Sequence, residues 1–333
     1  MHATAEAAGR YIDRFPAFRD AGFYRTALGL SVSSLGIGTY LGKPDAEADR
    51  TYIQALIAAG EGGINFFDTA INYREQRSER SIGAALRHLR RDEMVVSTKA
   101  GFLTRGAVPQ GLEADDVVGG MHSMAPRFLA DQIERSRANL GVDTIDVFYL
   151  HNPETQLGFR TGDEFEARIR RAFAQLERLA DEGKIRWYGA ATWDGFRKPG
   201  ALSLPRLAAI AAEEGGPSHH FRFIQLPFNL AMVEAYIGRP ESVLACAARL
   251  GIVAVASATL LETRLLAEMP ESVARLLPGL ATNAQRAIQF TRSTPGITVA
   301  LVGMGRPEHV RENLGVALVP PATPSQYARF YTE

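Results

Sequence analysis

The chain has 333 residues, 46% hydrophobic and 22% charged, enough to bury a large core as one α/β barrel or as two domains. Lysine plus arginine equal aspartate plus glutamate at 37 each, so no whole-chain field favours a nucleic acid or an anionic membrane surface. No segment approaches the ~18 uninterrupted apolar residues of a membrane span, the opening MHATAEAAGRYIDRF has no apolar signal region, and Cys246, the sole cysteine, excludes an internal disulfide; a soluble, cytoplasmic chain with no membrane partner is expected.

In chain order, YRTALGLSVSS from Tyr24 predicts a short hairpin that closes one end of the fold. Apolar, β-branched or aromatic runs follow at 33–39 (SSLGIGT), 65–70 (NFFDTA), 93–99 (EMVVSTK), 146–151 (DVFYLH), 185–191 (IRWYGAA), 221–226 (FRFIQL), 251–257 (GIVAVAS) and 298–303 (TVALVG). Between them lie segments with helical spacing, among them AEADRTYIQALIAAG, SERSIGAALRHLR, FLADQIERSRANLG, EFEARIRRAFAQLERLADEG and ESVLACAARLG, several stopped by glycine. Continuous apolar runs mean strands covered on both faces, as in a parallel sheet with helices outside. Eight strand-then-helix units predict an α/β fold of the (β/α)8 TIM-barrel type, with the hairpin before it and a long loop, GFLTRGAVPQGLEADDVVGGMHSMAP, after the third strand. No linker or charge block divides the chain, so residues 1–333 are expected to form a single domain with the barrel at about 24–318.

GIGTYLG, from Gly36, resembles a dinucleotide fingerprint only superficially. Its glycines run G-x-G-x-x-x-G, and the next strand-ending acid, Asp68, lies well beyond the ~20 residues expected of that motif. In a barrel the strand C-termini face the active site, and Asp68, Lys99 and His151 end the second, third and fourth strands, with Tyr73 close behind the first of them. Each alone reads blandly: loop anchor, snorkelling cation, core histidine, loop aromatic. Together they form a converging ionisable set whose burial must be offset by pairing, which is the makeup of a proton-transfer site. A tyrosine near its ordinary pKa of ~10 is a weak acid, so Lys99 is expected to lower it, Asp68 to hold the ammonium, and His151 to orient a substrate oxygen. No nucleophile signature accompanies them. No metal site is expected either, since His151 lacks a partner at ligand spacing and His219 and His220 lie in a polar loop.

From Tyr24 to Leu318 the pattern resembles the aldo-keto reductase family, most specifically in GINFFDTAINY, VVSTKAG, DTIDVFYLHNP and KIRWYGAA. The resemblance implies NADP(H)-dependent reduction of a small aldehyde or ketone, with Asp68, Tyr73, Lys99 and His151 matching the catalytic tetrad. It implies a cofactor seat at Gly38, Thr39, Thr192, Gln225, Ser257, Gly303, Gly305, Arg306, His309, Glu312 and Asn313, with Gln225 on the nicotinamide amide and LVGMGRPEHVRENLG around the adenine and phosphates. A helix N-terminus in that last segment favours phosphate.

The chain departs from that pattern in places. Ala191-Thr192 stands where the family usually has Ser-Asn, Ser257 where it commonly has an aromatic platform, and Gly303, Met304 and Gly305 where Ser or Lys is frequent. Three functions follow: an NADPH-dependent carbonyl reductase with Tyr73 as general acid, a redox-neutral isomerase or lyase that keeps the Asp/Tyr/Lys/His site on a weakened nicotinamide seat, and a non-enzymatic binding or regulatory barrel, against which the intact acid/base set argues. Phe102, Met121, His122 and Met124 of the long loop, and Trp193, are candidate pocket walls.

Overall fold

The computed structural model describes residues 1–198, 200–267 and 269–332. Eight parallel strands close into a barrel: β1 Leu35–Gly38, β2 Phe66–Asp68, β3 Val95–Ala100, β4 Ile145–His151, β5 Ile185–Ala191, β6 Phe221–Pro227, β7 Val253–Ser257 and β8 Ile297–Gly303. Each pairs with its sequence neighbours, and β8 returns to β1 through Ala300 to Leu35 and Gly303 to Gly38. Helices α1 Ala46–Glu61, α2 Arg77–Leu86, α3 Pro126–Leu140, α4 Gly162–Asp181 and α5 Leu204–Gly215 follow the first five barrel strands, and α6 Val243–Arg249, α7 Asn283–Ser293 and α8 Pro307–Asn313 complete the ring. Their ends obey local chemistry. Thr161 and Glu164 cap α4 reciprocally, and Gly141 ends α3 at φ 65°, where a side chain is disfavoured.

Apolar residues form two layers. Phe66, Val95, Val147, Tyr149, Phe223, Val255, Val299 and Leu301 fill the barrel interior, and Leu30 and Val32 of the hairpin plug it from below. That hairpin pairs Tyr24–Ala27 with Leu30–Ser33, as its alternation predicts. The second, larger layer lies between strands and helices. An N-terminal helix, Ala5–Asp13, capped by Thr4, is an element the sequence reading did not place. No described helix is long and apolar enough to cross a membrane.

Plugging the hairpin end leaves the strand C-termini as the open face. The long loop after β3 is not structureless there: Val117–Val118 pairs with His122–Ser123, and Phe102 bridges His122.

Candidate active site

The C-terminal face opens onto a cavity of about 690 Å³, lined by Asp68, Tyr73, His151, Thr192, Gln225, Ser257 and Gly303 among others. Because β2, β3 and β4 are neighbours, their last side chains meet. Lys99 Nζ donates to Asp68 Oδ2 at 2.6 Å and to the Thr69 carbonyl at 2.7 Å, and both charged side chains are buried. Asp68 Oδ1 accepts from Ser97 Oγ at 2.7 Å and from Gln225 Nε2 at 2.8 Å, so the carboxylate has donors on both oxygens. That saturation is what lets an anion persist in the barrel.

Tyr73 rides on the turn after β2. Its own N–H donates to the Ala70 carbonyl, and the three residues after it, Arg74, Glu75 and Gln76, all sit at left-handed φ of 50°, 54° and 71°. Three non-glycine residues in that region cost roughly 1–2 kcal/mol each and require tethers. Arg74 provides them: its guanidinium pairs with Asp49, donates to the Lys43 carbonyl at 2.9 Å and stacks on Tyr52. Ser78 Oγ adds a bond to the Thr39 carbonyl at 2.7 Å.

The phenol ring stands edge-on to His151 at 5.7 Å and to Tyr40 at 4.9 Å, with Lys99 Nζ 5.1 Å from its centroid. The resting Tyr73 does not show the acidification expected from Lys99. Burial, followed by the Asp68 charge and Tyr40, raises the phenol well above its ordinary value, while the lysine's two hydrogen bonds go to Asp68 and Thr69. Tyr73 therefore holds its proton firmly in the resting site. Burial also lowers the Lys99 ammonium, against the pull of Asp68, and drives His151 well below the ordinary histidine value with help from Lys99. A neutral imidazole and a protonated phenol face the cavity, and neither Asn72 Oδ1 nor His151 Nδ1 there has a partner among the described residues.

Across the cavity, Gly38 and Gly303 are paired neighbours on β1 and β8, and Thr39 donates to the Asp68 carbonyl. Gly305 packs against Tyr52, where an added Cβ would approach the ring to 3.3 Å. Arg306, at the N-cap of α8, and His309 and Glu312 on it are exposed, and Asn313 is buried, its Oδ1 without a partner among the described residues; none of the four lines the cavity. Thr192 Oγ1 and Thr259 Oγ1 are likewise buried and unpaired on the cavity wall. The loop Ala258–Arg264 carries four residues at positive φ, Ala258, Leu261, Glu262 and Thr263. Phe102 and Trp193 line the cavity as expected of them; Met121, His122 and Met124 do not, His122 and Met124 being buried behind it and Met121 exposed.

The sequence reading passed over Tyr40, Asn72, Asn152 and Thr259, all on the wall. Asn152, at φ 50° directly after His151, had a usable signal in asparagine's tolerance of that conformation. It also missed Glu154, whose Oε1 accepts from the amides of Trp193, Asp194 and Gly195 at 2.7, 3.0 and 3.2 Å. Those partners are too distant in sequence to leave a local trace.

The sequence model of the Aldo/keto reductase family matches residues 34–269, well over half of the chain, so the chain belongs to that family. Among curated relatives, a D-threo-aldose 1-dehydrogenase of Pseudomonas sp is 33% identical over 52% of this chain and 52% of its own. The NADH-specific methylglyoxal reductase of Escherichia coli K12 is 30% identical over 55% and 56%. The chain thus spans about half the length of the curated relatives it matches. An aldo/keto reductase from Klebsiella pneumoniae, solved with NADP and acetate, superposes with a TM-score of 0.67 at 20% identity over 91% of this chain and 92% of that one, a likeness of fold.

Proposed function

We propose that this aldo/keto reductase family member, acting as one catalytic unit over residues 1–333, is an NADP(H)-dependent oxidoreductase that reduces the carbonyl of a small aldehyde or ketone. The observation that carries the proposal is the buried Lys99–Asp68 pair set beside a neutral His151 and a protonated Tyr73 on one wall of the cavity. The hydride for the carbonyl carbon would come from NADPH when it is bound. Tyr73 gives its phenolic proton to the carbonyl oxygen and is reprotonated from solvent. His151, neutral, orients that oxygen by hydrogen bonding without competing for the proton. Tyr73 starts from a raised pKa, so its acidity must come from negative charge building on the substrate oxygen, which the nearby Lys99 ammonium stabilises together with the departing phenolate. Asp68 keeps that ammonium in place and charged.

The opposite wall fits the cofactor. Thr192 Oγ1 and Thr259 Oγ1 on the wall, and Asn313 Oδ1 on α8, are buried polar atoms without a partner among the described residues, and a bound ligand would satisfy them. Thr192, Gln225 and Ser257 would hold the nicotinamide end. Gly38, Thr39, Gly303, Gly305, Arg306, His309, Glu312 and Asn313 would hold the remainder, with the glycines allowing close approach and Arg306 and His309 meeting phosphate.

A second reading, redox-neutral isomerisation or elimination at the same residues, rests on Gln225, which commits one of its two amide hydrogens to Asp68 and leaves only the other and its oxygen for a nicotinamide. An NADPH titration followed by nucleotide fluorescence separates the two. Reduction requires binding, and Tyr73→Phe should then lower turnover by about 10² to 10⁴ with NADPH affinity nearly unchanged. Absence of NADPH binding to the folded protein would sink the reductase reading.

A further inference from the structure

We propose that His122 and Gln156 are positioning residues that fix His151 through its main chain, an inference that rests on the role given to His151 above. Past Ala100 and Leu150, the last paired residues of β3 and β4, the His151 carbonyl has run beyond that ladder. Asn152 then turns the chain at φ 50°. His122 meets this carbonyl, its Nε2 lying 2.8 Å from the oxygen.

The imidazole is brought there by the returning arm of the long loop. Leu103 N donates to the Met121 carbonyl at 2.7 Å and Ser123 N to the Gly101 carbonyl at 2.8 Å. Gly101 leaves the necessary space: a Cβ there would stand 2.4 Å from the His151 oxygen and 2.6 Å from His122 Nε2. Phe102 lies edge-on to both imidazoles, 5.2 Å from each.

The protonation state follows from the partners. A carbonyl only accepts, so Nε2 carries the hydrogen. Burial pushes the His122 pKa down to about 4, opposed by the His151 carbonyl, so the ring is neutral and Nδ1 keeps its lone pair. Gln156 must therefore turn its NH2 toward Nδ1, and does so at 3.1 Å, at the expense of leaving its own Oε1 buried without a partner among the described residues. The reversed amide would set two lone pairs against each other. The titratable group facing His122 is His151, on which Lys99 also acts. The chain thus runs Gln156 to His122 to the His151 carbonyl, and it fixes the strand end from which the His151 ring enters the cavity.

The test uses the full chain, NADPH and 4-nitrobenzaldehyde. His122→Phe keeps an aromatic ring and removes the donor; kcat should fall about 10- to 100-fold while NADPH affinity stays within twofold, and the His151 ring signals in ¹H–¹⁵N spectra should move. Gln156→Glu gives Nδ1 a carboxylate that stabilises the imidazolium. His122 should then titrate at an NMR-visible pKa well above 4, and kcat should acquire a step at that pKa which the wild type lacks; a merely structural role does not produce it. The inference is overturned by His122→Phe within twofold of wild-type kcat with unmoved His151 signals, by a flat kcat profile over a titrating His122, or by a His122 that the carboxylate fails to shift. Should His122→Phe not fold, the Gln156→Glu arm decides. His151→Ala is the control: full turnover in it removes His151 from the mechanism, whereas an inactive His151→Ala beside an unaffected His122→Phe defeats this inference alone.

Discussion

Asp68→Asn removes the charge that faces the Lys99 ammonium while keeping the side chain's shape. The two groups are 2.6 Å apart, and their side chains are 1% and 5% exposed. Breaking a buried pair on one side costs about 3–5 kcal/mol because an uncompensated ion is left behind. Lys99 escapes by losing its proton, so the folded variant holds a neutral amine while the unfolded chain holds an ammonium up to the ordinary lysine value of 10.5. With more protons bound when unfolded, stability must rise with pH, by up to ~1.4 kcal/mol per unit. Urea unfolding should thus show a deficit of about 3–5 kcal/mol at pH 7 that shrinks steadily toward pH 10. The double variant Asp68→Leu/Lys99→Met, which leaves no ion, should regain most of the loss at pH 7. A deficit that stays constant from pH 7 to 10 would refute the reasoning, since it would place the cost in packing or in the lost bonds to Ser97 and Gln225.

The two buried neutral histidines predict acid sensitivity: with folded pKa values below the ordinary one, the stability they contribute is present above pH 6.5 and lost as pH falls toward about 4 for His122. Each adds up to ~1.4 kcal/mol per pH unit, so the stability gap between wild type and His122→Phe should narrow by about 3 kcal/mol from pH 6.5 to 4, and parallel curves in urea would contradict this. Arg292, fully buried, donates to Ser34 Oγ, Gln289 Oε1 and the carbonyls of Val316 and Val319, and so ties the C-terminal segment to α7. Arg292→Met leaves those acceptors bare and should cost about 2–4 kcal/mol by denaturant midpoint; less than 0.5 would show that the acceptors find other donors. Glu154→Ala frees three amides beside Trp193 and should cost about 1–3 kcal/mol and make Trp193 more readily quenched by acrylamide, whereas unchanged quenching would mean the loop holds itself.

How much the sequence revealed depended on the range of the interaction that fixes each feature. The eight strands were readable because burial on both faces imposes uninterrupted apolar runs on each strand separately. Asp68, Lys99 and His151 were readable because barrel topology sends every strand end to one face, which converts position along the chain into proximity. The N-terminal helix escaped because its anchoring is tertiary: Thr4 N bonds the Asp92 carbonyl and Tyr11 OH the Gly60 carbonyl, contacts no local pattern announces. Tyr73's acidity was misjudged for the same reason: adjacency to Lys99 was legible, but the full burial of the phenol and the Asp68 charge beside it, which raise its pKa, are tertiary. His122 shows the limit most plainly. Read as a pocket wall from its place in the long loop, it lies behind His151, because the hairpin of residues 117–123 folds the loop inward and the left-handed turn at Asn152 exposes a carbonyl to meet it. The pocket's lining is decided by backbone groups left unpaired at strand ends, and the side chains that satisfy them are withdrawn from the surface they would otherwise form.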